Sequence, residues 1–567
     1  MGIKTKLISL ATFFIIICML SSCSVRLTKS AKASNGAFHQ QNSDGYNVLP
    51  SLSGDFIDSE NRYWAMFWQS NRSIITDGEY VVNSTNDVDD GTCDTTHCSL
   101  REALYAAYNN PGPDTISFNI PSSDPGCDAS GICTIYPEIT PLIIAGGETI
   151  IDGFSQPGAT PNTNPIGQGL NAVYKIVLDG ALLPGYPSGI SIRSSGNLVR
   201  GLVIQHFNTG IEVLDAFDNR IEGNFIGTDA QGASGEGNLC EAVSISGIQG
   251  GQGSWNNVVG GSTPQARNLI SGNVCGGVQI GPGENNKVQG NIIGPDASGT
   301  LPLPNQGEGV RVFNASNNNM IGGQASGEAN LIAFNDGYGV EIDGHFGAIG
   351  NTISSNRMHD NTDGGILLSS GGNAGMLAPE IITATVTIAS GTTCAACSIE
   401  VFSDEDGEGA NYEGTTFADL SGIWSLEKPG GFIGPNITAT ATDADGNTSE
   451  FSTQANVSGA FGKTAPDNGA SGVWTSSTLI WSASSGATGY DYCIDTTNDN
   501  ICNDWTSTGM NTFVEISGLD LNTTYFWHVR AINSYGTTYA NGGPTAYWHF
   551  TTLSGSIHNT YLPLLRK

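Results

Sequence analysis

Short segments in which two aliphatic residues flank a variable one recur through the middle of the chain, each opened by Gly or Ala. They are Gly189-Ile-Ser-Ile, Gly210-Ile-Glu-Val, Ala242-Val-Ser-Ile, Gly277-Val-Gln-Ile, Gly309-Val-Arg-Val, Gly339-Val-Glu-Ile and Gly365-Ile-Leu-Leu, with starts 21, 32, 35, 32, 30 and 26 residues apart. An Asn-led segment follows each of the first six: Asn197-Leu-Val-Arg-Gly, Asn219-Arg-Ile-Glu-Gly, Asn257-Val-Val-Gly-Gly, Asn286-Lys-Val-Gln-Gly, Asn319-Met-Ile-Gly-Gly and Asn351-Thr-Ile-Ser-Ser. A third signal joins some turns, as in Asn224-Phe-Ile-Gly, Asn268-Leu-Ile-Ser, Asn291-Ile-Ile-Gly and Asn330-Leu-Ile-Ala. Alternation with a period of two predicts strands, and their recurrence at this spacing predicts a solenoid.

Three short strands per repeat predict a parallel β-helix. Coils would stack about 4.8 Å apart, with the flanking Ile and Val side chains forming an inward column. Asn and Gly are expected to supply the left-handed backbone conformations of the corners. No Leu-x-x-Leu-x-Leu run or strict six-residue period is present, which argues against the other solenoid classes.

In such a coil the variable residue of each Gly-aliphatic strand points outward. Stacked in order these are Ser191, Glu212, Ser244, Gln279, Arg311, Glu341 and Leu367, and two positions further stand Arg193, Leu214, Ser246, Gly281, Phe313, Asp343 and Ser369. Arg311, Glu341 and Asp343 are thereby predicted neighbours, with His345 just beyond. If the chain is an enzyme, this is its catalytic set: a carboxylate pair for general acid and base work, or an arginine base for a lyase, acting on a polysaccharide. The competing expectation is a solvated ladder of ion pairs. Polygalacturonase-type motifs argue for the ladder, because Asn361-Thr-Asp363 and Asp343-Gly-His345 occur in reversed order and the paired Asp and basic triplet are missing.

Before the repeats, Ser99 and Glu102 have capping-box spacing, and Leu100, Ala103, Leu104 and Ala107 share one helical face ended by Asn109-Asn-Pro-Gly. A helix here would close the open end of the aliphatic column. The string Cys98-Ser-Leu-Arg-Glu-Ala resembles the CSLREA domain, named for those six residues. That resemblance covers about forty residues and implies a bacterial secreted, surface-exposed protein with a right-handed β-helix of the pectin-lyase type, mostly of unassigned activity.

After about residue 376 the coil pattern stops. Residues 376–457 carry alternating strands and Asp-Gly turns, and resemble the Ig-like sandwich modules of bacterial surface proteins. Residues 458–553 place Trp481 on an early strand and Leu519 six residues before Tyr525, which resembles the tyrosine corner of fibronectin type III domains. The fold class expected is therefore all-β: a parallel β-helix over 78–375 with an N-terminal capping helix, then two β-sandwich domains and a tail over 554–567.

Lys4, Lys6, the apolar run Leu7 to Leu20 and Ser21-Ser-Cys read as a secretory leader over 1–22. The small pair before Cys23 resembles the bacterial lipobox, which implies lipidation of Cys23 and a membrane-anchored or surface-exposed chain. Residues 23–77, which include Tyr63, Trp64, Phe67 and Trp68, read as a tether. Export agrees with ten remaining cysteines in five local couples, expected as disulfides: Cys93 with Cys98, Cys127 with Cys133, Cys240 with Cys275, Cys394 with Cys397, and Cys493 with Cys502.

Gly supplies 76 of 567 residues, and 21 Lys plus Arg face 53 Asp plus Glu for a formal net charge of −32. Such a surface repels nucleic acid and anionic membranes, so the lipid would be the sole membrane contact. The partners expected are an extracellular polysaccharide or a surface protein, bound by a monomer in an adhesion or binding role. No cofactor is required. Calcium is the candidate ion, with Asp404, Asp406, Asp443, Asp445 and Asn447 as oxygen ligands, although Asp-Gly turns account for the same residues and no EF-hand series is complete.

Overall fold

The computed structural model describes residues 77–185, 187–247 and 253–555. The leader, Cys23, nearly all of the tether and nearly all of the tail lie outside the described residues.

Three all-parallel sheets wind the described residues 78–369 into a β-helix. The Gly-aliphatic strands form an eight-stranded leading sheet, the Asn-led strands a nine-stranded second sheet, and the third signals an eight-stranded third sheet. Each coil runs leading, second, third, and parallel crossovers of this kind are right-handed. In the leading sheet Ile190, Ile211, Val243, Val278, Val310, Val340 and Ile366 are direct register partners from coil to coil. All are buried in one continuous aliphatic cluster that runs from Val82 to Ile366. Coil lengths vary because corner loops vary, not because register slips. One loop after residue 156 reaches about a hundred residues forward, where Asn162 Nδ2 donates to the Pro264 carbonyl oxygen at 2.8 Å.

Asparagines stack at all three corners, in a way the spacing alone does not reveal. Between leading and second strands, Asn197, Asn219, Asn257, Asn286, Asn319, Asn351 and Asn373 form a ladder. The backbone N–H of each donates to the Oδ1 of the next, at 2.9–3.1 Å. A second ladder runs Asn224, Asn268, Asn291, Asn330, Asn356. A third runs Asn238, Asn273, Asn305, Asn335, Asn361. These side chains are buried and satisfied, which is what a buried amide requires. The left-handed backbone expected of Asn and Gly at the corners is present at the first ladder, with Asp218 the one other residue type. There the positive φ belongs to the residue before each motif Asn, namely Gly196, Asp218, Asn256, Asn285, Asn318 and Gly350.

Both ends of the column are covered. At the N-terminal end the helix Leu100–Asn109 carries the full capping box of Ser99 and Glu102 and buries Leu100, Ala103, Leu104 and Ala107. Arg101 of this helix donates its Nε and Nη2 to both oxygens of Asp87 at 2.9 and 2.8 Å, with each side chain almost fully buried. Every residue of Cys98-Ser-Leu-Arg-Glu-Ala thus has a structural task, because Cys98 is bonded to Cys93.

At the C-terminal end a sandwich of a three-stranded and a four-stranded antiparallel sheet follows, spanning Glu380 to Asn456, with Trp424 in its core. Its carboxylates meet the last coils. Glu400 accepts from Ser354 Oγ at 2.6 Å and the Ser355 backbone N–H at 2.7 Å, and Glu450 accepts from the Leu368 N–H at 2.9 Å. Asn373, the end of the first ladder, donates its amide to the Thr448 carbonyl oxygen at 2.9 Å. A second sandwich of a three-stranded and a six-stranded sheet spans Lys463 to Thr552 around Trp481, Trp527 and Phe550. The Asp520 N–H donates to Tyr525 Oη at 2.9 Å, the corner contact expected from the Leu and Tyr spacing.

Candidate functional site

The outward row of the leading sheet is assembled by strand register. Ser191, Glu212, Ser244, Gln279, Arg311, Glu341 and Leu367 are partners in successive coils, so a sequence repeat becomes a single outward column, in which Ser191, Ser244 and Glu341 are nonetheless buried. Asp343 pairs with Ser369 in the adjacent row.

Three of the four residues singled out as a catalytic set come together, and they do so as an ion-pair network. Arg311 Nε lies 2.9 Å from Glu341 Oε2 and its Nη2 lies 3.4 Å from Asp343 Oδ2. Ser369 Oγ donates to Glu341 Oε1 at 2.7 Å. Asp343 Oδ1 accepts the His345 backbone N–H at 3.0 Å, which caps a short turn. The His345 ring stands edge-on to exposed Phe346, with centroids 4.5 Å apart. One guanidinium therefore serves both carboxylates, and its carbon sits 5.2 Å from the Phe313 ring centroid. The same logic repeats lower on the face, where Arg193 Nε donates to Ser191 Oγ at 3.1 Å and Ser191 Oγ donates to Glu212 at 2.9 Å. Such an array offers hydrogen bonds and neutralised charge to a ligand.

Of the residues considered for calcium, Asp404 and Asp443 accept from their own turns, and Asp406 and Asn447 accept from the last coils. Asp404 accepts the N–H groups of Gly407, Gly409 and Ala410, and burial, only partly offset by those bonds, raises its pKa. Asp406 accepts the Asp360 N–H at 3.0 Å. Asp443 accepts from the Asp445 and Asn447 N–H groups, both at 2.9 Å, and Asn447 Oδ1 accepts the Gly350 N–H. Asp90, His97 and Glu102 place ligand atoms within 4.8 Å of one another at the N-terminal cap. Glu102 is already spent there, since its oxygens accept the Asp90 and Ser99 N–H groups at 2.6 and 2.8 Å.

All five expected cysteine couples are bonded. Cys93 joins Cys98 at the N-terminal cap, and Cys127 joins Cys133 at the start of the third sheet. Cys240 joins Cys275 between neighbouring coils. Cys394 joins Cys397 in the first sandwich, and Cys493 joins Cys502 in the second. The Cys394-Ala-Ala-Cys397 pair therefore staples a turn of a sandwich. This is the pattern of a chain matured in an oxidising compartment. Among the described residues no helix is long and apolar enough to cross a membrane.

Two features of the surface and core had no signal in the repeat. Phe217 and Trp255, on adjacent coils, stack at 4.9 Å with planes 7° apart. In the second sandwich Lys463 is buried, its Nζ 3.1 Å from His528 Nδ1, 2.8 Å from the Ala546 carbonyl oxygen, and about equally far from the rings of Trp527 and Trp548, at 5.8 and 5.7 Å. A lysine on a short edge strand reads as exposed in a sequence, so its burial leaves no trace there.

No family model matches the chain and no curated protein matches it. Among solved structures it is similar to the FN1–FN3 domains of chicken CNTN1, at 12% identity over 32% of this chain and 68% of that one, with a TM-score of 0.19. It is similar to the BSP domain of a biofilm associated protein, at 15% identity over 32% of this chain and 30% of that one, with a TM-score of 0.13. It is also similar to a two-domain fibronectin type III segment of chicken tenascin, at 10% identity over 31% of this chain and 97% of that one, with a TM-score of 0.16. At these scores the likenesses carry no argument about function, and the fold description rests on the strand pairings alone.

Proposed function

We propose that the chain is a non-enzymatic, modular cell-surface protein of the CSLREA type, anchored through a lipid on Cys23, whose β-helix binds an extracellular polysaccharide or surface protein as a monomer. In this reading residues 78–375 are the binding body, 376–457 an Ig-like module and 458–553 a fibronectin type III-like module that spaces the body from its surroundings. Calcium is an optional ligand and no cofactor is needed.

The observation that supports binding over catalysis is the position of Arg311 between Glu341 and Asp343. A hydrolase or lyase would leave a carboxylate free to exchange a proton with substrate, whereas this pair is shared by one cation and Glu341 is only 8% exposed. Immobilised polysaccharides and surface proteins offered to the purified chain test the proposal. Saturable retention of one class supports it, and retention of none contradicts it. For the anchor, Cys23→Ala is expected to move the protein from the membrane fraction to the medium, since a lipid chain is the one strong membrane-binding element proposed. Retention of the variant in the membrane fraction would contradict the lipid.

A further inference from the structure

The outer face of the third sheet carries a second apolar cluster, distinct from the column. Tyr174, Val177, Val203, Phe225, Leu269 and Ile292 are buried there under the corner loops. In register the row continues from Leu269 to Ile292, to Leu331 and then to Arg357. Where the loops stop covering it, a cavity of about 140 Å³ opens, with Ile292 and Leu331 as apolar wall, Ser298 and Thr300 on one rim, and Arg267 and Arg357 beside them.

Among the described residues neither arginine has a counter-ion. Arg267 is 4% exposed, yet its partners are carbonyl oxygens, with Nε 3.0 Å from that of Gly290 and Nη1 3.5 Å from that of Asn164. Burial pushes its pKa below the ordinary arginine value. Arg357 donates Nε to the Ala410 carbonyl oxygen at 3.2 Å, and its Nη1 reaches the Gly167 turn, 3.9 Å from where a Cβ would stand. Asp296, in the loop that forms the rim, is consumed by its own turn, accepting from the Ser298 N–H and Oγ and the Leu301 N–H.

A buried charge is expensive unless it is paired. The comparison within this molecule is direct, because the similarly buried Arg101 has Asp87 on two of its nitrogens. The chain also has 53 acidic residues from which a partner was available, and only nine Lys or Arg between residues 80 and 375, two of which line this one cavity. Guanidinium groups suit carboxylates because their planar N–H forks match two oxygens at once. A cavity smaller than the roughly 300 Å³ at which ordinary ligand clefts begin takes one terminal unit and not a stretch of polymer.

We infer that the cavity between Arg267 and Arg357 is a binding site for the carboxylate of a terminal acidic sugar, with the sugar ring against Ile292 and Leu331 and its hydroxyls toward Ser298 and Thr300. The site takes a monovalent chain end, so it is compatible with a surface whose net charge repels polyanions. It rests on the binding reading above but fails separately. A chain that retains neutral glycans and ignores acidic sugars keeps that reading and loses this one.

Calorimetric titration of the purified chain with glucuronate, glucose and sulfate is the test. The expected result is one glucuronate bound per chain and no glucose. Arg357→Gln is expected to weaken glucuronate about tenfold or more while leaving the melting temperature unchanged. Arg357 is partly exposed and is the variant of choice, because Arg267 also ties down the loop at Asn164. Absence of glucuronate binding, sulfate binding without glucuronate binding, or glucuronate affinity unchanged in Arg357→Gln would each overturn the assignment.

Discussion

The carboxylate of Glu408 ends an asparagine ladder: its Oε2 accepts the backbone N–H of Asn361 at 3.1 Å and the side-chain amide of Asn361 at 2.8 Å. Through Asn238, Asn273, Asn305 and Asn335, the ladder passes one acceptor per coil down the β-helix until the coils run out. The first sandwich supplies the acceptor that the missing next coil would have provided. With Glu400, Glu450 and Thr448 doing the same at other positions, this sandwich closes the solenoid's exposed end with polar groups and with Phe451 against the aliphatic column, as the N-terminal helix closes the other end.

This closure titrates. Burial, assisted by the nearby charges of Asp406 and Asp360 and opposed by the bonds from Asn361, raises the Glu408 pKa from 4.5 to about 7. The folded chain therefore keeps a proton that the unfolded chain releases, so this contribution is complete below about pH 4.5 and is lost as pH rises through about 7. The ceiling on the effect is about 3 kcal/mol. Thermal unfolding of wild type and Glu408→Gln across that range checks it. The wild type should lose stability relative to the variant as the pH rises, and parallel curves would exclude Glu408 as the titrating group.

The second sandwich should respond in the opposite sense. Burial pushes Lys463 down from 10.5 to about 7, and burial together with the charge of Lys463 pushes His528 from 6.5 to about 4. Here the unfolded chain takes up protons that the folded one refuses, so stability falls as the solution is acidified, first through the lysine window and then through the histidine window. Fluorescence of Trp527 and Trp548, which flank the lysine, reports this sandwich's unfolding. Lys463→Met is expected to flatten the dependence between pH 10.5 and 7, and an unchanged slope would contradict it.

Arg101→Ala should be among the costliest single changes in the N-terminal cap. It strands the buried Asp87 carboxylate, a defect worth about 3 to 5 kcal/mol. The pairing of Arg101→Met with Asp87→Asn should recover part of that loss, because no uncompensated charge remains. Urea denaturation of the single and double variants decides the matter, and a single variant as stable as wild type would show that the ion pair is dispensable.

Much of this architecture is legible in the sequence. A strand period of two, punctuated by Gly and Asn, places Ile190 through Ile366 in one stack because register in a solenoid follows the motif and not the loop lengths. The local cysteine couples, Cys127 with Cys133 and Cys493 with Cys502 among them, are legible for the same reason that short loops are: their partners lie close along the chain. The earliest leading strand is not legible: Leu142-Ile-Ile follows Pro141 and lacks the Gly, although Leu142 pairs with Ile190. The ladders are half visible, as punctuation whose side-chain bonds depend on coils up to 44 residues apart. Arg311, Glu341 and Asp343 are placed together correctly by register, but no spacing rule foretells that one guanidinium reaches both carboxylates of the neighbouring strand. Contacts such as Glu408 with Asn361 join the β-helix to the first sandwich and leave no periodic trace.

The face of the leading sheet is proposed to bind without transforming what it binds. The direct measurement incubates the purified chain, and the Glu341→Ala/Asp343→Ala variant, with each polysaccharide it retains and follows reducing ends and unsaturated products over time. No product is expected from either protein, with the double variant still folded. Product formed by the wild type and reduced about a hundredfold or more in a folded double variant would contradict it.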